Sequence, residues 1–227
     1  MIKKLRSETV RFDNPILGIY VAEFRPLGKK FKFRPGQFLH LALDVYDPSY
    51  PWPESRCFSM QSSPEDEVIR ITFSVKGRYT SRMVEELRPG KIVSLKLPYG
   101  DLFSGSFSKS DCVFIAGGTG ITPFLSLFNS PEFSQFEKPK LYFGIKSTAY
   151  NIYTEELKKS QVINKGFSEK LCYEDVDGML NIQSIFSENG KEATYFISGP
   201  PAMIAGFRKQ LTASGVEDSH IITDDWE

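Results

Sequence analysis

The first hundred residues alternate apolar and polar side chains with a period of two. Residues 38–45 put Leu39, Leu41 and Leu43 on one face, and 68–75 set Ile69, Ile71, Phe73 and Val75 against Arg70, Thr72 and Ser74. Residues 92–97 repeat the pattern as Val93, Leu95 and Leu97 against Ser94 and Lys96, and 17–24 is a further strand-like run. Arg34-Pro35-Gly36, the proline-rich 48–53 and Arg88-Pro89-Gly90 break these runs as turns do. The pattern predicts a small antiparallel β-barrel interrupted by one helical segment, 80–87.

Beyond residue 110 the pattern changes to strand and helix in alternation. Strands are predicted at 113–117, 140–145, 168–173, 194–198 and 219–223, and helices near 123–128, 154–160, 181–187 and 201–213. Such alternation implies right-handed βαβ units and a parallel sheet covered on both faces. Between the two regimes lies Phe103-Ser-Gly-Ser-Phe-Ser-Lys-Ser110, rich in serine and glycine like a linker. The predicted fold is therefore two domains, an N-terminal antiparallel β-barrel over 1–104 and a C-terminal α/β parallel-sheet domain over 110–227.

The second regime opens on VFIAGGTGITPF, residues 113–124. An apolar run short enough for a doubly buried strand leads into Gly117, Gly118 and Gly120. Thr122 follows as a candidate N-cap and Pro123 as a first helical residue. Glycines let the backbone approach an anion, and helix-start N–H groups point at it. An ordinary βα turn has the same outline, and the usual third glycine of the dinucleotide fingerprint is replaced by Pro123. Strand, turn and helix start together favour a dinucleotide site. In a parallel sheet ligands sit at the carboxyl ends of the strands, where both this loop and 198–201 fall.

Composition narrows the classes. Hydrophobic residues make up 41% and charged residues 25%, so a sizeable core is available. Lys+Arg and Asp+Glu are both 28, a balance that points to neither nucleic acid nor an anionic membrane. No apolar run reaches transmembrane length, and the expectation is a soluble, cytoplasmic chain. Cys57, Cys112 and Cys172 are far apart and His40 and His220 isolated, so no metal site, structural disulfide or iron–sulfur cluster is expected.

Two further constellations carry chemistry. In Arg56-Cys57-Phe58-Ser59 the arginine suits a phosphate, the phenylalanine a flat ring and the serine a ring nitrogen, although plain strand residues would read the same. Gly77-Arg78-Tyr79-Thr80 reads as a second phosphate cradle, with Thr80 also serving as a simple helix cap. Together with Arg34-Pro35-Gly36-Gln37-Phe38, Pro98-Tyr99-Gly100-Asp101-Leu102-Phe103, the glycine loop 116–123 and Ser198-Gly199-Pro200-Pro201-Ala202-Met203, six markers run in one order along nearly the whole chain. In this the sequence resembles the ferredoxin–NADP reductase superfamily. The resemblance implies FAD on the barrel and NAD(P)H on the α/β domain. It implies that Arg56 binds flavin phosphates, Phe58 stacks on the isoalloxazine, Ser59 reaches its N5 edge, and Gly77 and Thr80 hold the pyrophosphate. Gly118, Thr119 and Gly120 would hold the nicotinamide nucleotide, helped by Gly199, Pro200 and Met203.

Three positions depart from the family pattern. Phe58 stands where tyrosine is usual, which removes a hydroxyl but keeps a ring; Ser198 stands where cysteine is frequent beside the nicotinamide. Trp226 is the candidate for the terminal aromatic that covers the flavin, or else part of a frayed end. The expected activity is hydride transfer from NAD(P)H to FAD, with Ser59 and Ser198 as positioning groups and no protein acid or base. Electrons would then pass to a ferredoxin, flavodoxin, haem or iron–sulfur protein, or to a small oxidant. The alternatives are an electron-transfer component of a larger complex and a nucleotide-binding regulator without turnover. Lys146-Ser147-Thr148 after the second α/β strand suits a 2′-phosphate, hence NADPH over NADH, while a solvated loop lysine reads equally well.

Overall fold

The computed structural model describes residues 1–28 and 31–224. It divides into two compact units, Met1–Asp101 and Leu102–Glu227.

The first unit is an antiparallel sheet with one helix. Strands β1 (Lys3–Ile16), β2 (Ile19–Pro26), β3 (Phe38–Ala42), β4 (Ser55–Ser59) and β5 (Ile69–Ser74) precede helix α1 (Arg78–Glu86) and strand β6 (Ile92–Tyr99). The six strands lie in the order β4-β3-β6-β1-β2-β5. Beyond β4 the Gln61 N–H donates to the Arg70 carbonyl at 2.8 Å, bringing the two edge strands together and curling the sheet toward a barrel. Its interior holds Phe24, Leu39, Leu41, Met60, Ile71, Met83, Val93 and Leu95.

Two of these strands escape the hydrophobic pattern for different reasons. In β1 the inward positions include Ser7 and Thr9, both 0% exposed, so hydroxyls occupy part of the apolar phase. In β4 the residues are Ser-Arg-Cys-Phe-Ser, chosen by no period-two rule. The predicted helix begins two residues earlier than the apolar spacing suggests.

The second unit carries β7 (Cys112–Gly117), α2 (Thr122–Phe128), β8 (Lys140–Ile145), α3 (Thr154–Ile163), β9 (Ser168–Tyr173), α4 (Glu174–Asp177), α5 (Ile182–Asn189), β10 (Thr194–Ser198), α6 (Pro201–Ala213) and β11 (Ile221–Thr223). Its parallel sheet has the order β11-β10-β7-β8-β9. Odd and even residues of β7 serve opposite cores. Phe114 joins Phe124, Phe128, Phe143 and Phe196 on one face. Val113 and Ile115 join Tyr195, Ile197, Ile204 and Leu211 on the other. Two covered faces explain why this strand reads as one apolar run.

The serine- and glycine-rich 103–110 is not a free span. Phe103 and Phe107 pack on Phe196 with ring centroids 5.3 and 5.0 Å apart, which fastens the segment to the second unit. Two buried aromatic anchors outweigh a linker-like composition.

Candidate functional site

In the first unit, pairing of β3 with β4 sets Leu41 opposite Arg56 and Leu39 opposite Phe58, so Arg56 and Phe58 share a face. The Arg56 guanidinium lies 5.0 Å from the ring of Tyr79, the second residue of α1. Its other partners are the Ser55 carbonyl at 2.8 Å and Glu54 at 3.2 Å, and about half of the side chain (53%) is exposed. Tyr79 is buried and its hydroxyl donates to the Leu41 carbonyl, which fixes the platform under the cation. Burial pushes the Tyr79 phenol up, so it stays a donor at any ordinary pH.

Helix α1 starts beside this cation. The Thr80 hydroxyl accepts from the N–H groups of Lys76 at 2.8 Å and Gly77 at 3.2 Å. Thr80 thus caps backwards from inside the first turn, not from ahead of it. The N–H groups of Arg78, Tyr79 and Thr80 precede any acceptor of their own helix. Lys76 and Arg78 flank the turn as exposed cations that no sequence pattern singles out. Only their adjacency to Gly77 in the sequence could mark them.

Phe58 is half-buried, with its ring 5.8 Å from that of Phe73. Ser59 is buried opposite Phe38, and by alternation faces away from Arg56 and Phe58. On that other face Cys57 Sγ lies 3.5 and 3.6 Å from the two ring nitrogens of His40. Burial raises the thiol and lowers the imidazole, so both are held neutral, as a packed cysteine is.

In the second unit the two predicted loops meet. The chain runs outward from β7 to β8 and β9, then crosses back to β10 and β11, so β7 and β10 flank the topological switch point. The loops leaving these two strands are Gly117–Gly120 and Ser198–Met203 by residue number. A Cβ on Gly120 would stand 2.5 Å from both Gly199 Cα and the Ser198 carbonyl oxygen. One on Gly117 would stand 2.9 Å from Met203 Sδ and 3.0 Å from Pro200 Cδ. Gly118 has φ +53° and open space beside it, the conformation and clearance for a close approach by a ligand.

Thr122 does not cap α2. Residues Gly118–Ile121 form a 3₁₀ turn that runs straight into the helix, and the Thr122 hydroxyl donates to the Thr119 carbonyl at 2.9 Å. Pro123 sits at the second helical position instead of the first.

Ser198 is buried at the end of β10, and its Oγ donates to Asp224 Oδ2 at 3.0 Å. The Asp224 N–H in turn donates to the Ile197 carbonyl at 2.9 Å, continuing the β10–β11 pairing. Asp224 is invisible to sequence reasoning, because an acid after a short strand gives no signal. Lys146 is exposed just past β8, 5.5 Å from the ring of Tyr150. Since Ile145 pairs with Tyr173, the neighbouring strand end carries α4 with Glu174, Asp175 and Asp177. Trp226 lies outside the described residues.

Among the described residues no group of three His, Cys, Asp or Glu side chains is placed to hold a metal. No helix of the described residues is long and apolar enough to cross a membrane.

Residues 114–209 match the family model described as the oxidoreductase NAD-binding domain. A ferredoxin NADP⁺ reductase from Neisseria gonorrhoeae, solved with FAD and NADP bound, superimposes with a TM-score of 0.80 over 98% of each chain at 17% identity. The chain thus has the two-domain fold of a ferredoxin NADP⁺ reductase. A flavohemoglobin from Malassezia yamatoensis with bound FAD and heme gives a TM-score of 0.82 at 18% identity, covering 97% of this chain and 59% of that one. At such identities these two structures speak for the fold. One component of the Na⁺-translocating NADH-quinone reductase of Pseudomonas aeruginosa (strain UCBPP-PA14) is 28% identical over 199 residues, 75% of this chain and 48% of the relative. The chain spans about half the length of the first curated relatives it matches.

A cation on an aromatic platform beside a helix start suits a diphosphate, and glycines packed too tightly for a Cβ, next to an open Gly118, suit a dinucleotide backbone.

Proposed function

We propose that the chain is a flavin-dependent oxidoreductase that takes a hydride from NAD(P)H onto bound FAD and passes the electrons to a protein or small-molecule acceptor. The observation that carries it is the Arg56 guanidinium held 5.0 Å from the Tyr79 ring, at the start of α1. It joins two motifs about 20 residues apart in sequence into one diphosphate-shaped site.

In this reading Arg56, the first-turn N–H groups of α1 and the Gly77–Thr80 turn hold the FAD pyrophosphate. Phe58 offers its ring to the isoalloxazine, and Ser59, the last residue of β4 and on its other face, reaches the N5 edge round the strand end. Gly118, Thr119, Gly120, Gly199, Pro200 and Met203 cradle the nicotinamide nucleotide. The Ser198 proton is committed to Asp224, so toward the nicotinamide the Ser198 oxygen presents lone pairs. When bound, FAD supplies the hydride acceptance and the one-electron release; the protein supplies position and exclusion of water. Lys146 favours the 2′-phosphate of NADPH, while the three acids of α4 oppose it, so the preference is small. The setting proposed is the cytoplasm.

The test is the absorption spectrum of the purified chain before and after anaerobic NADH or NADPH, with the flavin then released by heat and identified by chromatography. Bleaching of an FAD spectrum is the expected outcome. FMN, or no flavin at all, would overturn the assignment. A second reading, the reductase module of a larger redox assembly, is favoured by the half-length match to the quinone reductase components. A stable co-purifying partner would support it.

A further inference from the structure

The chain holds three cysteines and two histidines, and the fold sets one of each side by side. Cys57 in β4 and His40 in β3 are 17 residues apart in sequence, yet strand pairing puts them directly opposite each other. Their side chains share the face turned away from Arg56 and Phe58, so neither belongs to the proposed diphosphate cradle. Cys57 Sγ lies 3.5 Å from His40 Nε2 and 3.6 Å from Nδ1. Both residues are half-buried, open enough to admit an ion with its water.

That spacing is the bite of a two-residue chelate. A sulfur about 2.3 Å and a nitrogen about 2.0–2.1 Å from one tetrahedral ion stand about 3.6 Å apart. Near-equal distances to the two nitrogens place the sulfur over the ring, so what remains is a turn of the imidazole about its broad terminal torsion to aim a lone pair. The rings of Tyr99 and Phe38, with centroids 4.7 and 6.0 Å from that of His40, lower the polarity around the pair. Lys96 opposes a cation, since it stands in register with His40 on β6. No cluster of three His, Cys, Asp or Glu exists among the described residues, so water completes the coordination shell. Affinity should therefore fall below that of a site with four protein ligands.

We propose that Cys57 and His40 form a binding site for a divalent ion of the zinc class, which staples edge strand β4 to β3. Thiolate and imidazole suit zinc, whereas magnesium and calcium prefer oxygen. On binding, the metal–sulfur bond replaces the S–H bond and the proton leaves to water; nothing is oxidised or reduced. The site stands apart from the flavin reading, and its test reads the ion itself and not turnover.

The whole chain, reduced and stripped of metal by a chelator, is titrated with Zn²⁺ by calorimetry and with Co²⁺ in the spectrophotometer. A single Zn²⁺ should bind per chain, indifferent to excess Mg²⁺, and Co²⁺ should give a thiolate charge-transfer band. Cys57→Ser and His40→Gln should each weaken Zn²⁺ binding roughly tenfold or more, and Cys57→Ser should abolish the cobalt band. Cys172→Ser and His220→Gln should change neither, and Lys96→Gln should tighten binding. In the wild type Zn²⁺ should also suppress alkylation of Cys57, located by mass spectrometry, while Cys172 reacts as before, a reading that requires no variant to fold. No binding by the wild type, binding indifferent to Cys57 and His40, or loss of binding on substitution of Cys172 or His220 instead would each overturn the site.

Discussion

The two units build their candidate phosphate cradles by opposite means. In the first, side chains do it: a guanidinium 5.0 Å over a buried tyrosine, and a threonine hydroxyl that accepts from two N–H groups ahead of the helix start. In the second, the absence of side chains does it, with Gly120 2.5 Å from the Gly199 backbone once a Cβ is imagined. A cradle of side chains can lose one member and keep its shape. A cradle of crowded backbone cannot accept one added carbon. Tolerance to substitution should therefore differ sharply between the units.

The largest effect should come from Gly120→Ala. The new Cβ meets backbone atoms, which cannot rotate away, and overpacking of that kind costs about 1–3 kcal/mol. The KM for NAD(P)H should rise roughly fivefold to 150-fold, the equivalent of about 1–3 kcal/mol, and the melting temperature should fall, with flavin content unchanged. Gly118→Ala makes the sharper contrast. Its site is open, so only the left-handed φ of +53° resists, at about 1–2 kcal/mol. An equal loss from the two substitutions would show that crowding is not what shapes the loop.

Arg56→Ala comes next. A charge-assisted bond to phosphate contributes about 1.5–3 kcal/mol, or roughly 10 to 100-fold in flavin affinity. Stability should change little, because the side chain is half exposed. Equilibrium dialysis of flavin against wild type and variant measures it. Unchanged retention would remove Arg56 from the cradle and with it the main support for a flavin in this unit.

Ser198→Ala is the third. It leaves the Asp224 carboxylate without the hydroxyl it accepts from at 3.0 Å and takes away the oxygen offered to the nicotinamide. Losing one bond to a charged group costs about 1.5 kcal/mol, so kcat/KM for NAD(P)H should fall roughly tenfold. Ser198→Cys should recover part of it. If alanine and serine perform alike, the Ser198–Asp224 pair only joins β10 to the end of β11.

The same contrast governs what can be read in advance. The predicted strands and helices of the second unit start within about two residues of the observed ones, because doubly covered strands are continuous apolar runs. Strand β1 escapes the pattern because Ser7 and Thr9 fill inward positions, and β4 because Ser-Arg-Cys-Phe-Ser carries no apolar alternation. The glycine loop is legible by composition, yet its crowding against Gly199 depends on β10 lying beside β7, which no local pattern states. Tyr79 and Asp224 stay hidden for that reason: each matters through a partner 23 or 26 residues away, Arg56 and Ser198.

The smallest effect concerns Lys146. Its ammonium is exposed beside Tyr150, and an exposed ion pair contributes only about 0.2–1 kcal/mol. At the upper end that is roughly fivefold in favour of NADPH. The acids Glu174, Asp175 and Asp177 on the neighbouring strand end push the other way on a dianionic 2′-phosphate. Comparison of kcat/KM for NADPH and NADH in the wild type, in Lys146→Ala and in the double variant Glu174→Gln, Asp175→Asn separates the two forces. Lys146→Ala should lower the NADPH to NADH ratio, the double variant should raise it, and both shifts should shrink with added salt. A wild type that prefers NADH and a ratio indifferent to Lys146 would make this lysine a bystander, and the nucleotide would be chosen by the carboxylates of α4.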